Sequence, residues 1–316
     1  MLSAAGPFDG PVVSVDGTDA SAGLNLSHWP GHRTPAALRH DLSTGSALLF
    51  AELAPERRRA LAAGAVAIVN NHYDTDGSCA LFAVRHPREA LEQRAALLDA
   101  AAAGDFFRTP SDQAVAIDLI VGALADPERS PLPLAGRADA ERHQVATEYL
   151  LEHLPRMLAG DTAEWRPLCE EGLAAVAADR ADLERCARDE LVHLDWTVWT
   201  APPDARSSRP GAAPRFDPGR HALFGSTGSD RVLAIGPGPH GATYRLVIST
   251  LSWFDLVTRT ALPRPDLAEI ARRLDDAEGT APEDECAWRA QDARSPSPEL
   301  WFGTRGLESF SEHCPA

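Results

Sequence analysis

One short stretch of this chain gathers groups able to grip a cation: His72-Tyr73-Asp74-Thr75-Asp76-Gly77. His72, Asp74 and Asp76 alternate, so on an extended strand end their side chains project to one side and converge. Two carboxylates and an imidazole suit manganese, magnesium, iron or zinc. Gly77 lets the backbone turn tightly behind them, and a helix beginning near Ser78 adds amide donors that favour an anionic substrate group beside the ion. Asp-Thr-Asp-Gly is also ordinary turn chemistry, in which aspartates accept backbone hydrogen bonds and cap a helix. The setting tips the balance toward a metal. Residues 65–69 (AVAIV) form a continuous apolar run of the kind buried on both faces of a parallel sheet, and helical patterning follows the loop.

A dinuclear site needs more donors than this loop supplies. His28, His32, His40 and Asp41 lie upstream in NLSHWPGHRTPAALRHDLSTG and are the candidates for missing ligands or for a general acid. Their plain alternative is a polar surface beside a capped helix. Asp16 ends the β-branched run 12–15 and can reach the same sheet edge, although Asp16-Gly17 reads first as a turn. Further along, Asp112 reads as helix-start charge, the GSTGS and GPGPHG segments as hairpin turns, and Arg305 as a solvated arginine.

The elements that must position these groups alternate helix and strand in the first half. A strand at 12–15, helices after Thr34-Pro35 and Pro55, the strand at 65–69, a helix from Ser78, one over 87–103 and one capped by Ser111 predict a mainly parallel sheet with flanking helices. Residues 18–33 read as a polar connection. Segments 139–159 and 167–191 are helical. Beyond them, 194–200, 221–224, 231–235 and 244–251 read as strands separated by glycine and proline turns, followed by a helix at 265–275 and strands near Trp288 and at 300–302. The expected architecture is α/β, with an α/β domain over 1–155, a helical connector over 156–191 and a smaller α+β domain, mostly antiparallel, over 192–316.

Strand, then HYDTDGS, then helix resembles the first motif of the DHH phosphoesterase superfamily, whose RecJ-type members carry an Asp-Tyr-Asp-x-Asp-Gly loop in the same setting. His72 stands where the first aspartate would be, and Asp74 and Asp76 match the next two. The segment ending Ala-Ala-Ala-Gly-Asp105 is similar to the alanine-rich segment bearing that family's last metal-binding aspartate. The chain contains no Asp-His-His sequence. The resemblance implies Mn2+ at His72, Asp74, Asp76 and Asp105, and hydrolysis of a small phosphorylated molecule.

Composition narrows the alternatives. All 30 basic residues are arginine, so chemistries that need a lysine amine, among them P-loop nucleotide hydrolysis and pyridoxal-phosphate catalysis, are excluded. A formal charge of −16 argues against nucleic acid and anionic membrane as partners and leaves a small anionic molecule drawn to a metal. The five cysteines include no CxxC pair. No secretory leader pattern or membrane-length apolar run is present, so the expected location is the cytoplasm. The leading expectation is a metal-dependent phosphoesterase. A metal enzyme of another class, oxygenase or lyase, and a non-enzymatic acidic scaffold are the alternatives.

Overall fold

A computed structural model describes residues 8–17, 22–209, 216–238, 241–281, 284, 287–292 and 294–302. The chain divides into two compact units: Met1–Leu173 with Phe254–Thr260, and Ala174–Trp253 with Ala261–Ala316.

The first unit is built on three parallel strands, β1 (Val12–Val15), β2 (Ala22–Leu26) and β3 (Ala67–Asn70), in the order β2-β1-β3. β1 lies in the middle, and all four of its residues are buried, as a central parallel strand requires. Its alternation divides the core. Val13 and Val15 join the main helical cluster, while Val12 packs with Ala67 and Val69 on the other face. Helices α1 (Ser43–Glu52), α2 (Pro55–Leu61), α3 (Thr75–Arg85), α4 (Pro87–Glu92), α5 (Arg94–Phe106), α6 (Asp112–Ala125) and α7 (Asp139–Leu158) complete this unit together with the start of α8 (Arg166–Glu184). α3 is central, packing against both α1 and α5, and nine of its eleven residues are buried. Leu154, Met157, Leu158, Trp165 and Cys169 belong to the same core, so residues 156–173 are part of the first unit and not a separate connector.

The second unit carries a six-stranded sheet of β4 (Ala187–Leu191), β5 (Trp196–Thr200), β6 (Arg231–Gly238), β7 (Gly241–Ile248), β8 (Trp288–Ala290) and β9 (Glu299–Phe302), in the order β4-β5-β6-β7-β9-β8. Among the described residues only β5 and β6 pair in parallel. Helices α9 (Arg220–Gly225) and α10 (Leu267–Glu278) belong to it, and Leu267 and Ala271 of α10 pack on Leu246, Ile248 and Leu300. The expected architecture is therefore present: a parallel sheet with flanking helices, then a mostly antiparallel sheet.

Local departures have local causes. Residues 22–26, read as connection, form β2, because pairing beside β1 supplies hydrogen bonds that a weakly apolar AGLNL segment does not advertise. Residues 221–224, read as strand, lie in α9. The helix at the acidic loop starts at Thr75 and not near Ser78, because Asp74 is its cap, accepting the Gly77 amide at 2.7 Å.

Candidate metal centre

Parallel strands end on one edge, and the chain places an acid or imidazole at or just beyond the end of each. Asp16 follows β1, His28 lies two residues beyond β2, and the His72-to-Asp76 loop follows β3. Asp105 arrives from the last turn of α5. The acidic loop does not converge by extended alternation. Asp74 caps α3 and Asp76 lies in its first turn, so their carboxylates face different neighbours.

Two groups of close ligand atoms result, sharing Asp16: Asp16 with His72 and Asp74, and Asp16 with His28 and Asp76, each set lying within 4.8 Å of one another. His72 Nε2 is 3.0 Å from Asp74 Oδ2. His28 Nε2 lies 3.0 Å from Asp105 Oδ2, 3.7 Å from Asp76 Oδ2 and 3.8 Å from Asp16 Oδ1. The 3.0 Å separation of His72 and Asp74 is that of a charge-assisted hydrogen bond.

Each group is held by the fold. Asp16 takes a left-handed backbone, φ +48°, which costs a non-glycine residue energy and aims its fully buried carboxylate inward. Its Oδ1 accepts the Trp29 Nε1 proton and the Ser43 hydroxyl, both at 2.9 Å. Its Oδ2 is buried with no hydrogen-bond partner among the described residues. His28 is fully buried. Its Nδ1 donates to the Asp41 carbonyl, which can only accept, so Nε2 is the atom presented to the carboxylates; it too is buried without a hydrogen-bond partner. Fixing one imidazole nitrogen on a carbonyl is how metal-binding histidines are commonly oriented. Phe254 stacks on the same ring at 3.8 Å, and the Asp255 amide donates to the His28 carbonyl at 2.8 Å.

Asp76 also serves α1. Its two carboxylate oxygens accept the Ser43 and Thr44 amides at 2.7 and 2.8 Å, satisfying donors that a helix start leaves open. The amino ends of α1 and α3 thus meet at the cluster, a favourable field for negative charge. Asp105 is the opposite case, a carboxylate at a helix carboxyl end where the dipole disfavours it. It reaches the site because Gly104 lets α5 approach α3: a Cβ there would sit 2.8 Å from Thr75 Cβ and 3.0 Å from Asp118 Oδ1. Gly77 is similarly constrained, since a Cβ would lie 2.3 Å from Asn70 Nδ2.

So many buried acids strain their own ionisation. Burial pushes the Asp16 carboxyl well above its ordinary value, and the charges of Asp74, Asp76 and Asp105 push it further. Asp105 is raised likewise, first by burial and then by Asp76 and Asp74. Burial alone would lower His72, yet the charge and hydrogen bond of Asp74, with help from Asp16 and Asp105, outweigh it and raise the imidazole to about 10.

The remaining predicted residues lie around this centre. The Asp41 carboxylate is occupied elsewhere, accepting the Val257 amide at 2.6 Å, the Thr258 amide at 3.0 Å and the Thr258 hydroxyl. It clamps the segment whose Phe254 covers His28. His40 Nδ1 accepts the Leu42 amide at 3.1 Å, and its ring occupies the space beside Gly45 at the start of α1. Asp118 accepts the Thr75 hydroxyl at 2.6 Å. Trp29, Ser43, Thr44 and Phe254 were not singled out for the site by sequence reasoning, and Asp16 was read mainly as a turn. The signal for Asp16 is its place after a β-branched run, at the same end as the loop after β3. GPGPHG joins β6 to β7, which pair antiparallel as far as Gly238 and Gly241, with residues 239 and 240 outside the described set. Arg305, Cys286 and Cys314 also lie outside the described residues. Cys79, Cys169 and Cys186 are free thiols. No helix among the described residues is long and apolar enough to cross a membrane.

Fold and geometry together define an α/β protein with a buried carboxylate and histidine centre at the carboxyl edge of a parallel sheet. The chain belongs to a family of unknown function, DUF6687, which it matches over residues 5–314. No curated protein and no solved structure matches it.

Proposed function

We propose that the protein is a metal-dependent hydrolase of small phosphorylated molecules, with a divalent cation, Mn2+ foremost, held among Asp16, His28, His72, Asp74, Asp76 and Asp105. The observation that carries this reading is the pair of buried atoms Asp16 Oδ2 and His28 Nε2, which lack hydrogen-bond partners inside a cluster of four carboxylates. Leaving such groups unpaired is costly, and a divalent cation is the species that offsets negative charge and accepts both an oxygen and an imidazole lone pair. Mg2+, Fe2+ and Zn2+ also suit oxygen and nitrogen donors. The HYDTDGS likeness to the DHH phosphoesterase motif supports the same reading.

When bound, such an ion polarises a phosphoryl oxygen and lowers the pKa of bound water. The chain's own residues do the positioning. Trp29 and Ser43 hold Asp16, the Asp41 carbonyl and Phe254 hold His28, and the amino ends of α1 and α3 favour an anionic phosphoryl group. Arg108, three residues past Asp105, has its pKa lowered by burial and by the charge of Arg259. In the net reaction a water oxygen bonds to phosphorus, the phosphorus to ester-oxygen bond breaks, and the alcohol leaves carrying a proton.

A purely structural reading draws on the caps that Asp74 and Asp76 provide. Elemental analysis of protein purified without chelator, together with p-nitrophenyl phosphate hydrolysis with and without Mn2+, separates the two. Bound metal and Mn2+-dependent release of p-nitrophenol are expected. Absence of metal, with no Mn2+ effect on melting or hydrolysis, rejects the proposal; stoichiometric iron with oxygen consumption redirects it to a redox enzyme.

A further inference from the structure

Beside the centre is a cavity of about 150 Å3 lined by Asn70, Asn71, Tyr73, Ala140, His143 and Thr147. Asn70 and Asn71 immediately precede His72, and the Asn70 side chain accepts the His72 amide at 3.0 Å, so one wall of the cavity is the stem of the metal-binding loop. The opposite wall is one face of α7: Ala140, His143 and Thr147 follow three- and four-residue spacing, and Ala140 leaves room. Tyr73 is fixed by its hydroxyl, which donates to the Val121 carbonyl at 2.9 Å, and its ring stacks on His143 at 5.1 Å and 13°.

The lining is polar and carries no carboxylate or guanidinium. Neither the ring nitrogens of His143 nor the Thr147 hydroxyl has a hydrogen-bond partner among the described residues. Burial lowers the His143 pKa, which favours a neutral ring with one donor and one acceptor. No cationic side chain lines the cavity to answer a phosphate, and an alkyl group would leave these polar groups unanswered. A hydroxyl-rich ring answers them, with its C–H face toward the stacked aromatic pair. The volume corresponds to about five waters, the size of a single sugar.

We propose that this cavity is the leaving-group subsite of the centre, taking the uncharged, hydroxyl-bearing part of a sugar or polyol phosphate while the phosphoryl group faces the metal ligands. This rests on the hydrolase reading, and its tests are chosen to separate the two. D-Glucose 6-phosphate and ethyl phosphate share the phosphate and differ in hydroxyls. Calorimetry on Mn2+-loaded protein should show the sugar ester bound roughly tenfold more tightly, the worth of one or two neutral hydrogen bonds. His143→Ala should remove that preference and Thr147→Val should reduce it severalfold, with Mn2+ uptake and ethyl phosphate affinity unchanged. Equal affinity for the two esters in the wild type, or equal losses for both in the variants, overturns the assignment. If the protein takes up no Mn2+, the hydrolase reading fails by itself. The cavity is then judged by saturation-transfer NMR with free D-glucose, where a signal lost in His143→Ala and Thr147→Val supports a sugar site and absence of signal in the wild type overturns it.

Discussion

Asp16→Asn separates a metal ligand from a structural acid, because the two roles predict opposite signs in the absence of metal. Asp16 is fully buried, its Oδ1 is satisfied by Trp29 and Ser43, and its Oδ2 has no hydrogen-bond partner among neighbouring acids. Asparagine tolerates the left-handed backbone at φ +48° and keeps an oxygen for the two donors. Its amide nitrogen replaces the orphaned oxygen with a donor facing carboxylates. Removing an unsatisfied buried group relieves about 1–3 kcal/mol, more if it is charged. Metal-free Asp16→Asn should therefore melt higher than wild type by roughly 2–4 °C per kcal/mol gained. With Mn2+ at about one hundred times its dissociation constant the wild type gains about 2.7 kcal/mol, whereas a variant lacking the shared ligand gains little, so the order reverses. Calorimetric melts of both proteins, in chelator and in Mn2+, read this crossing. A variant less stable than wild type in chelator, with both proteins indifferent to Mn2+, would refute the reasoning.

Three further outcomes follow from the same geometry. In metal-free protein, Asp16 and Asp105 hold protons more tightly when folded than the ordinary value of 3.8, so their contribution to stability falls as pH rises above about 3.8. The contribution of His72, raised from 6.5 to about 10, is complete below 6.5 and lost as pH rises through about 10, so melting temperature in chelator should decline from mildly acidic to alkaline pH and the decline should flatten in Mn2+. Gly104→Ala places a Cβ 2.8 Å from Thr75, which should separate α5 from α3, destabilise by about 1–3 kcal/mol and weaken Mn2+ binding at least tenfold by titration calorimetry. Asp41→Ala frees the Val257 and Thr258 donors, so a loss of about 1–3 kcal/mol in urea melts is expected, with no change in the alkaline limb of the pH–rate profile; loss of that limb would restore Asp41 as a general acid.

Residue types and spacing alone determined a good deal. The apolar run before HYDTDG, the Ser111 cap of α6 and the alternation near Trp196 state their local structure, because capping and periodicity act over a few residues. The same locality marked His72, Asp74 and Asp76 as a group, whereas Asp105 was implied only by the family resemblance, and the packing role of the Gly104 before it is visible once α5 lies on α3.

Tertiary structure decided the rest. Parallel pairing of β1 with β2 and β3 brings Asp16, His28 and the acidic loop to one edge, and such pairing joins segments whose spacing in the chain leaves no local pattern. Only packing shows that Asp76 serves α1 as well as the centre, that the Asp41 carboxylate bonds residues 257 and 258, and that Phe254 returns from far along the chain to lie on His28. Long-range burial and charge likewise set the ionisation of these acids, which no count of aspartates along a sequence can supply.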